Sequence, residues 1–278
     1  MTTRAISADE QRTFWNDGVV CLRDMFDAEW ISRMQTAVDE AVADPGPMAL
    51  QLGQGLEGTF HGDSFVWTWH DDFRAFIFES PAASIAQQVL GAQERVTLFF
   101  DTLLVKQPGS QAPTPWHHDQ PYWPVEGDQV CTVWTPFDPA PVDAGAVEYL
   151  VGSHRWGRRF QPKSFTGDDR YGNSLDPLPD IEAERDQHEF VTFELEPGDC
   201  IVHHGLTLHH APGNSTSRPR RALASRFCGD DVTYEPEGSF QPLIREPDLA
   251  PGAPLECELF PRVWPRTDGS PLEEDDLP

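Results

Sequence analysis

Between residues 96 and 228 the sequence breaks into seven short strand-like runs: 96–106, 129–138, 146–151, 189–195, 199–204, 206–210 and 220–228. Pro, Gly and Asp turns separate them, the punctuation expected of a chain that doubles back repeatedly through a sheet. Helical signals come before this region. Ser7-Ala8-Asp9-Glu10 is a capping box, and Gly18 stops that helix about two turns later. Asp27 to Ala43 carries Trp30, Ile31, Met34, Ala37, Val38 and Ala41 on one stripe, which predicts the clearest helix. Ser80-Pro81 opens a third, closed by Gly91. Residues between Pro47 and Ser80, with Phe60, Phe65, Trp67, Trp69 and Phe73, read as aromatic and irregular. Helices first and strands after predict an α+β fold, a strand-rich barrel backed by N-terminal helices.

Charge narrows the function classes. The chain has 46 acidic and 20 basic residues, a net charge of −26, so nucleic acid or an anionic membrane surface is a poor partner. No basic-then-apolar leader and no apolar run of membrane-spanning length stands out, which predicts a soluble, cytoplasmic protein. The five cysteines are dispersed without a CxxC pair, which argues against a disulfide framework or a zinc site.

Chemistry concentrates in Pro115-Trp116-His117-His118-Asp119-Gln120 and a distant group, His203, His204, His209 and His210. If 116–120 is extended, His117 and Asp119 share one face and His118 points away. Two ligands on one face, completed by a histidine from another strand, form the 2-His-1-carboxylate set that leaves positions open on a non-haem iron. Strand parity puts Val202, Leu206 and Leu208 on one side and His203, Thr207 and His209 on the other. That favours His209 as third ligand, with His210 as the fallback. On the last strand, Arg220, Ala222, Ala224 and Arg226 share a face of small residues and two guanidinium groups. Such a face suits a cavity in which Arg220 grips a carboxylate in a bidentate fork.

With these residues in view, the sequence resembles the phytanoyl-CoA dioxygenase family of the Fe(II)/2-oxoglutarate-dependent oxygenase superfamily, over roughly residues 10–235. The resemblance is carried by Thr114-Pro115-Trp116-His117-His118-Asp119-Gln120, by Gly145 to His154, and by His209 followed five residues later by Asn214 and eleven later by Arg220. It implies a double-stranded β-helix (jelly-roll) core. One domain would then span 1–278, with helical support over about 1–95, the core over about 96–235 and a C-terminal extension over about 236–278, acidic and frayed from about Arg266. The family spacing implies His117, Asp119 and His209 as ligands of Fe(II), and Arg220 as the anchor of 2-oxoglutarate. Trp134 and Thr132 are implied to border that co-substrate, and Lys106 to lie near it. The histidine is followed here by His210-Ala211 where the family commonly has Gly-Ser.

The implied activity uses O₂ and 2-oxoglutarate, releases succinate and CO₂, and hydroxylates an unactivated C–H bond of a small molecule. Desaturation on the same site, or a catalytically inactive jelly-roll binding protein, are the alternatives. The carboxylate of Asp119 fills the position that related halogenases leave vacant for halide. Tyr122, Trp123 and Trp67, with Arg226, are the expected substrate wall, suited to an apolar or cationic compound such as a secondary metabolite. The acidic balance disfavours a CoA ester.

Overall fold

The Ser7 hydroxyl accepts the amide of Glu10 while the Glu10 carboxylate accepts the amide of Ser7, so the first helix starts where its capping box predicts. Gly18 ends it in the left-handed region at φ +81°. The computed structural model describes residues 4–53, 56–163, 171 and 175–266. Along the chain these form α1 (Ala8–Asp17), β1 (Val19–Leu22), α2 (Ala28–Ala43), β2 (Leu50–Leu52), β3 (Phe60–Ser64), α3 (Asp71–Glu79) and α4 (Ala82–Leu90). There follow β4 (Val96–Lys106), β5 (Thr114–His117), β6 (Val125–Glu126), β7 (Val130–Pro136), β8 (Glu148–Leu150), β9 (Phe190–Thr192), β10 (Cys200–His204), β11 (His209–Ala211), β12 (Arg220–Cys228), β13 (Thr233–Tyr234) and β14 (Arg262–Trp264).

Two antiparallel sheets make the jelly roll. The larger runs β1-β10-β7-β12-β4-β3-β2, with β14 added to β4, and the smaller runs β5-β11-β8-β9. Alternation assigns the two faces of the large sheet. Leu223 and Phe227 of β12, Val133 of β7 and Leu103 of β4 join the helices in one apolar cluster. Ala222 and Ala224 of β12 and Trp134 of β7 instead meet Tyr149 and Ala211 of the small sheet in another. The helical layer therefore covers one face, and the small sheet shares the other with a cavity.

The stretch expected to be irregular contains a helix. In α3, Phe73, Phe76 and Ile77 fall at i, i+3 and i+4 and are fully buried, while Asp71 and Asp72 stand in the first turn, where the helix dipole favours negative charge. Phe76 stacks on Phe26 at 5.2 Å and meets Phe137 edge-on at 5.9 Å. Only nine residues long and flanked by tryptophans, α3 shows barely two turns of periodicity. The C-terminal extension is also tied down: β14 pairs with β4, and Leu255, Leu259 and Phe260 are buried beside Phe99. The expected frayed tail beyond Arg266 and residues 164–170 and 172–174 lie outside the described residues. Among the described residues no helix is long and apolar enough to cross a membrane.

Candidate metal centre

His117 is the last residue of β5, and the strand stops there because Asp119 turns into helical backbone (φ −75°, ψ −48°) ahead of a 3-10 turn containing Pro121. The extended pair expected from parity is therefore a strand end followed by a turn. The turn still brings Asp119 Oδ1 to 3.4 Å from His117 Nε2. His118 points away as expected, its Nε2 accepting the Phe160 amide at 2.9 Å, and burial pushes its pKa down to about 4.

The third residue arrives by register. His209 of β11 pairs directly opposite His117 of β5, with ring centroids 4.2 Å apart and His209 Nε2 3.9 Å from Asp119 Oδ1. Ligand atoms of His117, Asp119 and His209 all lie within 4.8 Å of one another. His210 turns outward instead, its Nε2 2.8 Å from Glu148 Oε2. Parity selected His209 through a relation the fold does not keep. His203 belongs to β10 of the large sheet and His209 to β11 of the small one, and the two rings meet with centroids 4.6 Å apart. Thr207, assigned by parity to the cavity side, is buried and donates to the Gly18 carbonyl at 2.7 Å.

Tautomers follow from second contacts. Nδ1 of His117 lies 2.9 Å from the Pro115 carbonyl, and Nδ1 of His209 lies 2.9 Å from the Thr207 carbonyl. A carbonyl only accepts, so both Nδ1 atoms carry the hydrogen and both Nε2 atoms present lone pairs. Two lone pairs and a carboxylate oxygen converge in a buried space, an arrangement that a divalent cation satisfies and that repels itself otherwise. This donor set fits iron. Burial and the neighbouring histidines hold His209 well below the ordinary imidazole value, in the neutral form a metal ligand needs.

The other oxygen of Asp119 is held separately. Thr132 donates its hydroxyl to Oδ2 at 3.0 Å, His203 Nε2 stands 3.4 Å away, and Arg226 Nε 4.0 Å. The Tyr149 hydroxyl in turn lies 3.3 Å from His203 Nδ1. Burial alone would raise Asp119, but hydrogen bonding to His203 and the charge of Arg226 act against it, and its carboxyl is held well below the usual range. Oδ2 is thus occupied by protein donors, while Oδ1 is turned to the two histidines.

Arg220 is 2% exposed, lies over the Trp134 ring at 5.4 Å, and its Nε has no hydrogen-bond partner among the described residues. Burial lowers its pKa to about 10, which leaves it charged at neutral pH. A buried, unneutralised guanidinium costs free energy unless an anion comes to it. Trp134 and Thr132 both line the same cavity, and the Thr132 hydroxyl is committed to Asp119. Lys106 differs from expectation. Its ammonium is turned to the backbone carbonyls of Ala211 and Pro212 and lies over the Phe60 ring, and it is absent from the cavity wall. Phe60 and the 211–212 carbonyls supply what the co-substrate was expected to supply.

The cavity has a volume of about 600 Å³. Tyr122 and Trp123 line it as expected, but Trp67 does not: it is 2% exposed in the helical core, edge-on to Phe78. Its place on the wall is taken by Met48, Leu50, Leu52 and Leu56, around β2. Sequence reasoning missed these together with His203 in its contact to Asp119, and Tyr149. Alternation already put His203 on the cavity side; its contact to Asp119 follows from which strands become neighbours. Among the described wall residues Asp119 is the only carboxylate.

The sequence profile described as phytanoyl-CoA dioxygenase (PhyH) matches residues 14–222. A Caenorhabditis elegans phytanoyl-CoA dioxygenase domain-containing protein 1 homolog is 25% identical over 183 residues, covering 66% of this chain and 62% of the relative. The match thus spans less than two thirds of that curated relative. Among solved structures, the non-haem α-ketoglutarate-dependent carbocyclase SnoK from nogalamycin biosynthesis is 25% identical with a TM-score of 0.76, over 94% of this chain and 98% of its own. The epimerase SnoN, solved with Fe³⁺, α-ketoglutarate and nogalamycin RO, is similar in fold, at 23% identity and a TM-score of 0.73 over 92% and 97% of the two chains.

Proposed function

We propose that this chain, which belongs to the phytanoyl-CoA dioxygenase family, is an Fe(II)- and 2-oxoglutarate-dependent oxygenase that hydroxylates a small molecule. The observation that carries this is the convergence of His117, Asp119 and His209 in a buried cavity that also holds the guanidinium of Arg220, whose Nε has no hydrogen-bond partner among the described residues. His117 and His209 would hold the metal through Nε2 and Asp119 through Oδ1. Bound iron with O₂ and the 2-oxo acid supplies an oxidant strong enough to remove hydrogen from an unactivated carbon.

The chain's own residues supply placement and charge. The Pro115 and Thr207 carbonyls fix both imidazole tautomers, and Thr132 and His203 stop the carboxylate from swinging away. Arg220, 5.4 Å over the Trp134 ring, would receive the distal carboxylate of the co-substrate in a buried site where one charge-assisted pair is strong. The apolar wall around β2, Tyr122 and Trp123 excludes water and presents one substrate bond to the metal. Proteins of the same fold carry out ring closure and epimerisation, so the wall rather than the metal ligands sets the outcome. Asp119 occupies the position a halide would need, which favours hydroxylation over halogenation.

Succinate formation from 2-oxoglutarate by the Fe(II)-loaded protein in air tests this reading. It is expected in the wild type and lost in Asp119→Ala. Absence of succinate from fully iron-loaded, folded wild type would favour the alternative of a ligand-binding jelly roll.

A further inference from the structure

Arg226 is a second buried guanidinium in the cavity; its Nε stands 4.0 Å from Asp119 Oδ2, and neither the metal nor the co-substrate site uses its Nη2. It sits at a register shift where β12 passes from Phe100 to Leu98 on β4, a bulge of the kind that re-aims side chains beside active sites. Its guanidinium lies 4.4 Å over Phe100 and 5.7 Å from the Trp123 ring, so its position is fixed by packing. Nη1 is satisfied by the Thr102 hydroxyl at 2.7 Å and the Ala224 carbonyl at 2.9 Å. Nε is buried without a hydrogen bond, and among the described residues Nη2 makes none either. The side chain is 11% exposed, and the residue lines the cavity, so what remains open faces the ligand space.

Charge counting gives this residue a purpose. On the reading above, a divalent metal, the Asp119 carboxylate, the Arg220 guanidinium and a dianionic 2-oxo acid cancel. Arg226 adds a further positive charge to a wall whose only described carboxylate is Asp119; Asp101, buried off that wall with its carboxylate on the Trp67 amide, is the other acidic group near it. That carboxylate has its Oδ2 on Thr132 and His203 and stands 4.0 Å from Arg226 Nε, beyond hydrogen-bond length. The faces of Phe100 and Trp123 that could have attracted a substrate cation are already covered by the guanidinium.

We propose that Arg226 is the substrate anchor, and that the substrate is an apolar, ring-sized molecule bearing one anionic or strongly accepting oxygen group, such as a carboxylate, phenolate or enolate. The anchor sits beside Asp119, so the oxygen group would be bound close to the carbon that reacts. A cationic substrate would meet a like charge on this wall.

The test is equilibrium binding of 2-naphthoate against its neutral analogue 2-naphthalenemethanol, followed by quenching of the fluorescence of Trp123 and Trp134, which line the cavity. Protein loaded with Mn(II) and 2-oxoglutarate is used without O₂, so that Arg220 is already engaged. Wild type is expected to prefer the carboxylate by about tenfold to a hundredfold, the worth of a hydrogen bond to a charged group. Arg226→Met should abolish the preference while leaving the alcohol's affinity within about twofold, and Arg226→Lys should keep part of it. Should the methionine variant fail to fold, Arg226→Gln, which retains an amide donor toward Thr102, decides the same question. Equal binding of the two probes by wild type, or a preference that survives in Arg226→Met or Arg226→Gln, overturns the proposal. Binding of Mn(II) and 2-oxoglutarate is measured beforehand, so failure of the metal reading is seen separately.

Discussion

Replacing His203 by leucine removes one of the donors that hold Asp119 Oδ2 and leaves the metal-facing residues in place. The contact spans 3.4 Å, longer than an ordinary hydrogen bond, while Thr132 keeps its own at 3.0 Å. A hydrogen bond to a charged group contributes about 1.5–3 kcal/mol, and the length of this one places it near about 1.5. That corresponds to about a tenfold loss in metal affinity, the lower end of what outer partners of metal ligands contribute. The Tyr149 hydroxyl also loses its partner at a fully buried position, so unfolding should become easier by about 1–3 kcal/mol. Anaerobic Fe(II) titration measures the first effect and chemical denaturation of the metal-free protein the second. His203→Gln, which carries an amide donor of similar reach, should recover affinity. An affinity within twofold of wild type in folded His203→Leu would refute the reasoning, because Asp119 would then be held without His203.

His209→Ala is expected to abolish stoichiometric Fe(II) binding, whereas His210→Ala, whose ring is paired with Glu148, should keep it; equilibrium dialysis distinguishes them, and the reverse result would move the ligand by one residue. Burial, with Arg220 nearby, pushes the Lys106 ammonium down to about 6. From there to about 10.4, the usual lysine value, the unfolded chain holds a proton the folded chain has shed, so Lys106 makes stability rise with pH. Denaturation midpoints across that window should climb in wild type relative to Lys106→Met; parallel curves would show that Lys106 stays charged in its pocket.

Much of this was legible in the sequence because local and global signals agree. The capping box at Ser7, the stripe of α2 and the alternation of Arg220, Ala222, Ala224 and Arg226 each fix a local geometry that packing then reuses. What was not legible depends on which strands become neighbours. Parity reaches as far as one continuous strand, so it could not show that the chain changes sheets between His203 and His209, or that Thr207 ends up against Gly18. Trp67 and Tyr122 are both large aromatic residues near motifs. One faces the helices and the other the cavity, and that choice is made by α3, whose two turns were hidden among aromatic residues. Lys106 has the right strand position for a co-substrate contact, but the chain bends the 211–212 carbonyls toward it.

The most direct measurement is anaerobic addition of Fe(II) and then 2-oxoglutarate to the metal-free protein, followed in the visible range. A weak charge-transfer band that saturates at about one equivalent of iron is expected in wild type, because keto-acid chelation needs open positions beside three protein ligands. It should persist in His210→Ala and vanish in Asp119→Ala and His209→Ala. Folded wild-type protein that takes up iron and 2-oxoglutarate without the band, or a band unchanged in His209→Ala, would contradict an iron centre built from His117, Asp119 and His209.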